Sequence, residues 1–157
     1  MDHTSSLPRT TVSFPVGEGD ERIVERMHAI PQGDGSYLLD NSPFYAFGIS
    51  FEDLFSAVPQ EGELVFSKVI SRGGHSTYRI KLSVGRDHAF FLKHWSGLEK
   101  LGCTYEGSSA SLGRLYSIDI PPGVDVFEVY RLLEQGEQNN IWNFEEAHYF
   151  DPKASAS

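Results

Sequence analysis

The run Arg72-Gly73-Gly74-His75-Ser76-Thr77-Tyr78-Arg79 concentrates side chains that could do chemistry. His75 could act as a general base, Ser76 as a hydroxyl nucleophile, and Arg79 could hold an anion. A hydrolytic site of this kind needs a carboxylate to orient the histidine, and Asp40 or Asp53 could supply it. A second reading needs no reaction. Gly73-Gly74 permits the positive φ angles of a tight hairpin between two apolar-alternating runs. His75, Thr77 and Arg79 then share one strand face at period two. From that face they can hydrogen-bond Asp40, Asn41 or Asp53 and pin the segment Asp40-Asn41-Ser42-Pro43-Phe44, with Arg72 beside the turn. We expect this bracing role rather than catalysis.

Other chemistries are poorly served. "GEGDER" and "SRGGHST" lack the glycine spacing and following helix of phosphate loops. His75, His88, His94 and His148 show no paired ligand spacing, and Cys103 is alone, so no metal site and no cofactor are expected. The end of the chain is different in kind. "EQGEQNN" and "NFEEAHYFD" mix acids with aromatics. Glu134, Glu137, Glu145, Glu146 and Asp151, with Trp142 and Tyr149 as anchors, form a candidate surface for a basic protein partner. A solvated acidic surface is the plainer alternative.

The elements that must position these residues fall into two halves. The chain has 157 residues and a formal net charge of −9, which disfavours nucleic acid and anionic membrane as partners. One cysteine and no apolar leader or span suggest a cytoplasmic protein. Residues 1–17 read as a flexible arm with at most a short strand at "TTVSFPV", and 151–157 as a disordered tail. Short strands with turns at "GDG", Glu61-Gly62 and Gly73-Gly74 follow, which predicts a small SH3-like β-barrel over 18–82. Beyond it, apolar spacing predicts helices near 87–101 and 124–137, with Asp87 and Asp125 at their starts and Gly102 ending the first. "CTYEGSSA", "RLYSIDIPP" and "IWNFEEAHYF" read as strands. The resulting order suggests an α+β chain whose residues 76–150 form a ferredoxin-like β-α-β-β-α-β half, sharing the strand at 76–84 with the barrel.

"GDGSYLLDNSPFYAFGISFEDLFSA" followed by "FSKVISRGGHSTYRIKL" resembles the bacterial family of unknown function numbered 4265. The resemblance spans about residues 22 to 150 and rests on Gly33, Gly35, Asp40, Asn41, Pro43, Phe44, Gly48 and Asp53. The second motif adds Gly74, His75, Ser76, Thr77 and Arg79. One departure is Glu52, where the family has glycine. Some relatives look like small proteins paired with secreted toxins. The resemblance, the acidity and the lack of a catalytic set together suggest a bacterial immunity protein that occludes the active site of a cognate toxin domain, basic around its cleft. A small-molecule-binding regulator and a hydrolase using His75 are the alternatives.

Overall fold

The computed structural model describes residues 8–110 and 113–153. The expectations for 1–7 and 154–157 lie outside these. The first five strands are β1 (Thr10–Val16), β2 (Ile23–Pro31), β3 (Ser36–Leu39), β4 (Leu54–Gln60) and β5 (Glu63–Ser71). Each pairs antiparallel with the next, and β1 pairs in parallel with β5, through Val12↔Leu64 and Ser13↔Val65, to close a barrel. Alternation drives the closure. Val12, Phe14, Met27, Ala29, Leu39 and Phe55 all point inward, and Phe14 packs edge-on to Phe55 and stacks on Phe66. Glu61 and Gly62 both take positive φ, as a two-residue hairpin whose twist matches its strands requires.

The second sheet is antiparallel and contains β6 (Ser76–Lys81), β7 (Thr104–Ala110), β8 (Gly113–Ile120) and β9 (Asn143–His148), in the order β7-β8-β6-β9. Helices α1 (His88–Leu101) and α2 (Val126–Gln138) cover one face. Asp87 caps α1 by accepting from the Phe90 amide, and Gly102 ends it in the left-handed conformation. The apolar side of β6 and β8 (Tyr78, Ile80, Tyr116, Ile118, Ile120) meets Phe91, Trp95, Leu98, Val129 and Leu133. The rings of Phe91 and Tyr116 stack with centroids 3.6 Å apart. The opposite side of the same strands is polar and also buried: Thr77, Arg79, Ser117 and Asp119.

This architecture corrects the expected SH3-like barrel joined to a ferredoxin-like half. The protein is mostly β, with a five-stranded sheet, a separate four-stranded sheet and two helices. Among the described residues no strand is shared: β6 pairs with β8 and β9 alone, and it ends at Lys81 rather than 84. The supposed arm contributes β1, the strand that closes the barrel, so the barrel runs over 10–71 instead of 18–82. Arg72–His75 is not a hairpin. β5 pairs with β4 along its length and with β1 at Leu64 and Val65, and β6 pairs with β8 and β9 instead of folding back on it. The two glycines instead carry the chain across from one sheet to the other.

Candidate functional site

A loop between β3 and β4, residues 40–53, leaves the barrel and crosses the polar face of the second sheet from β8 over β6 to β9. At its start Ser42 Oγ lies 2.7 Å from Ser117 Oγ, which also donates to the Pro43 carbonyl at 2.7 Å. At its far end the Gly48 amide donates to the Ala147 carbonyl, and Ser50 Oγ meets both Thr77 Oγ1 (2.6 Å) and His148 Nδ1 (2.8 Å). The loop also seals the barrel, because Ala46 and Ile49 enter its apolar core.

Arg79 organises the middle of the loop. It is 2% exposed. Its Nε donates to Glu145 Oε2 at 2.7 Å, and Nη1 donates to the carbonyls of Ala46 (2.8 Å) and Pro43 (3.4 Å). Nη2 donates to the Tyr45 carbonyl at 3.3 Å. A guanidinium suits this task because its donors form a rigid planar fork. From the other side the Glu25 carboxylate accepts three successive amides, those of Phe44, Tyr45 and Ala46, at 2.8–3.0 Å. Carbonyls and amides of one short turn are thus held by opposite charges. The side chains it presents outward are Tyr45 (45% exposed) and Phe47 (61%), the latter with its ring 4.6 Å from the Arg79 guanidinium carbon.

His75 sits at the crossover. Its Nδ1 donates to both oxygens of Asp119 (2.9 and 3.0 Å) and its Nε2 to Glu52 Oε1 (3.1 Å), with Phe51 edge-on to the ring. Burial alone would depress its pKa, but the hydrogen bonds and charges of Asp119 and Glu52 outweigh that and raise it. Both nitrogens already face carboxylates, so neither is directed at a nucleophile. Ser76 is buried on the opposite face of β6 and accepts the Phe150 amide. The only cysteine, Cys103, is buried, which pushes its thiol up to about 12. His75 and Ser76 do not form a nucleophile–base pair, and the hydroxyl–imidazole contact that is present, Ser50 Oγ with His148 Nδ1, uses a fully buried serine shared with Thr77. Among the described residues no group of three or more His, Cys, Asp or Glu could hold a metal ion.

The bracing residues have other partners than the spacing suggested. Asp53, fully buried, accepts from Arg72 Nη1 (3.0 Å) and from the amides of Gly73 and Ser50, rather than from His75. Asn41 Oδ1 accepts the His28 amide, and Asp40 pairs with Arg9. Gly74 takes φ 93° where Pro122 packs against it. Glu52 has φ 68°, left-handed backbone that favours glycine, and its side chain makes the contact to His75. Asp119, Ser117, Glu25, Glu52 and His148 were missed as partners. Ser117 and Asp119 alternate with Tyr116, Ile118 and Ile120 in the sequence, but nothing local says that a distant loop buries their face. Beside the loop a cleft of about 320 Å³ carries Asp40, Glu106 and Asp119, with burial raising the Glu106 carboxyl.

The acidic candidates at the chain end do not form one face. Glu145 points to the loop side of β9, where it holds Arg79, while Glu146 points to the helix side and accepts from Tyr78 Oη at 2.7 Å. Glu134 and Glu137 are exposed on α2, which covers the other side of the sheet from the loop. Trp142 is no anchor: it is 5% exposed, packed against Gly136, and donates its indole N–H to the Leu133 carbonyl. Tyr149 and Asp151 line a groove of about 730 Å³ with Pro121, Pro122 and the exposed Phe127.

Comparison with known proteins bears on the fold. The family described as domain of unknown function DUF4265 matches residues 25–144. A solved structure titled as a novel crystal structure of a hypothetical protein from Neisseria gonorrhoeae superposes with a TM-score of 0.74 at 16% identity. The match covers 91% of this chain and 98% of that one. At that identity the likeness is one of fold alone. No curated protein matches.

Proposed function

The chain belongs to the family of the domain of unknown function DUF4265, and on that premise, which carries no activity, we propose that it is a binding protein of the immunity type. In this reading it neutralises a cognate bacterial toxin domain by docking over its active cleft. One observation carries the proposal. The buried Arg79, a charge costly to place, and the partly buried Glu25 are committed to holding the turn at 43–48, and that turn offers Tyr45 and Phe47 to solvent. Rigid aromatics lose little conformational entropy on binding and make effective anchors. Of the motif residues of the family resemblance, Pro43, Phe44 and Gly48 lie in this turn and Arg79 holds it. With a net charge of −9, the chain suits a basic partner and fast association. No helix among the described residues is long and apolar enough to cross a membrane.

The test is co-expression with the C-terminal domain encoded by the neighbouring upstream reading frame, scored by growth and by binding kinetics. Tyr45→Ala and Phe47→Ala should each speed dissociation at least about thirty-fold, the scale of a hot-spot loss near 2 kcal/mol. The double reversal Glu134→Lys with Glu137→Lys, on the opposite side of the sheet, should leave dissociation unchanged. Protection that survives loss of both aromatics would refute docking through the turn. Absence of any protection by the wild-type chain would refute the immunity reading.

A further inference from the structure

The pinned turn also forms one wall of a cavity of about 380 Å³, which opens beside the far ends of β6, β8 and β9. Phe44 and Tyr45 line it from the loop, and Leu115 and Phe144 from the sheet. The polar lining is Arg79, Lys81, Asn143 and Glu145. Two of these four are spoken for: the Arg79 guanidinium and the Glu145 carboxylate bind each other, and the remaining guanidinium donors go to loop carbonyls. Lys81 makes no ion pair among the described residues. Its cross-strand neighbours are Leu115 on one side and Asn143 on the other, so an ammonium and an amide stand together over an apolar wall.

Local charge here runs against the molecule. The whole chain carries −9, yet the cavity has two cations and one carboxylate. We propose that this cavity is a binding site for a small organic monocarboxylate with a flat apolar body, such as an aryl-acetate. The carboxylate pairs with Lys81 and accepts from the Asn143 side-chain amide. The body lies against Leu115 and the ring of Phe44, with Phe144 contributing only the backbone side of the wall because its ring packs on Tyr78 and Tyr130 across the sheet. A phosphate or dianion is disfavoured, because one uncommitted ammonium would face the repulsion of an acidic protein. An amine is disfavoured, because the one carboxylate present is held by Arg79. Ligand pockets run from roughly 300 to 1,000 Å³, and this volume lies near the lower end, which excludes long acyl chains. The site does not depend on the docking role proposed above, although the two share Tyr45.

The test is an NMR titration of the full chain with phenylacetate and indole-3-acetate, with phenylacetamide as the uncharged control. Saturable shifts confined to Tyr45, Lys81, Leu115, Asn143 and Phe144 are expected, with a Kd of about 0.1–1 mM, the range for ligands of this size. Phenylacetamide should bind at least about five-fold more weakly, and Lys81→Met should bring the acid down to the amide's affinity. Leu115→Trp should fill the cavity and abolish binding. Lys81 is exposed and unpaired, so its variant tests recognition even where the tryptophan variant does not fold. The proposal is overturned by the lack of a saturable shift up to about 10 mM acid, a concentration well above that Kd range. It is equally overturned by equal affinity for acid and amide, or by wild-type affinity in Lys81→Met. No toxin domain enters the measurement, so its outcome is separate from that of the docking test.

Discussion

Replacing Arg79 with methionine removes the guanidinium while keeping most of the stem volume. The wild-type side chain makes two short hydrogen bonds, to Glu145 and the Ala46 carbonyl, and two long ones, to the carbonyls of Pro43 and Tyr45. The Pro43 carbonyl keeps Ser117 as a donor. Glu145 is half exposed and regains water, so that ion pair is worth no more than about 1 kcal/mol. The Ala46 carbonyl belongs to a buried residue, and leaving it without a donor costs about 1–3 kcal/mol. Loss of the contact with the Phe47 ring adds about 0.5 kcal/mol. The total is about 3 kcal/mol, or about 6–12 °C in Tm for a chain of this size. Arg79→Lys keeps a charge but loses the fork, and should cost about half as much. Urea unfolding measures the loss, and limited chymotrypsin digestion reports on the turn, since cleavage after Tyr45 or Phe47 requires it to open. A Met variant that loses under about 1 kcal/mol and keeps a protease-resistant turn would refute the claim that Arg79 holds it.

Gly73→Ala should destabilise by about 1–3 kcal/mol in the same urea assay, because the new Cβ would sit 2.4 Å from the Glu52 carbonyl oxygen. The raised pKa of His75 makes its contribution fully present below the unfolded value of about 6.5 and lost as pH rises through the folded value. His75→Gln should therefore cost more at pH 5.5 than at pH 8.5, and an equal cost at both would deny the imidazolium bridge. His148 acts in the opposite sense: burial and the nearby Arg72 depress its pKa, so His148→Gln should relieve part of the instability below about pH 6.5. Cys103 should resist a thiol reagent at pH 8 in the native protein and react once urea unfolds it; rapid native labelling would place it nearer the surface than its burial implies.

Local signals in the chain were legible one element at a time. Helices expected near 87–101 and 124–137 stand at His88–Leu101 and Val126–Gln138, because caps at Asp87 and Asp125 and an apolar stripe are properties of neighbouring residues. Assembly was not legible in the same way. Period two marks "TTVSFPV" and "STYRIK" as strands, but it does not state which edge each will meet. β1 finds β5 about fifty residues away, and β6 passes over the adjacent β5 to pair with β8 and β9. The site shows the same division. His75, Thr77 and Arg79 were placed on one face by spacing alone. Their partners Asp119, Glu52, Ser50 and Glu145 are contributed by three other parts of the chain, and only the folded loop brings them there.

The loop's attachment to β9 sets an order of events during synthesis. Glu145, Ala147 and His148 supply contacts to Arg79, Gly48 and Ser50, and the last of these pairs is separated by 98 residues. While the ribosome is still making α2, Glu25 and Arg79 are already present to hold the turn carrying Tyr45 and Phe47, but the far end of the loop still lacks its contacts from Ala147 and His148. An incomplete product stopped before β9 would keep the turn but leave residues 48–50 without their fastening to β9. Assembly of the far sheet becomes a checkpoint on the near one: the loop is fastened at both ends only when the last strand has been added.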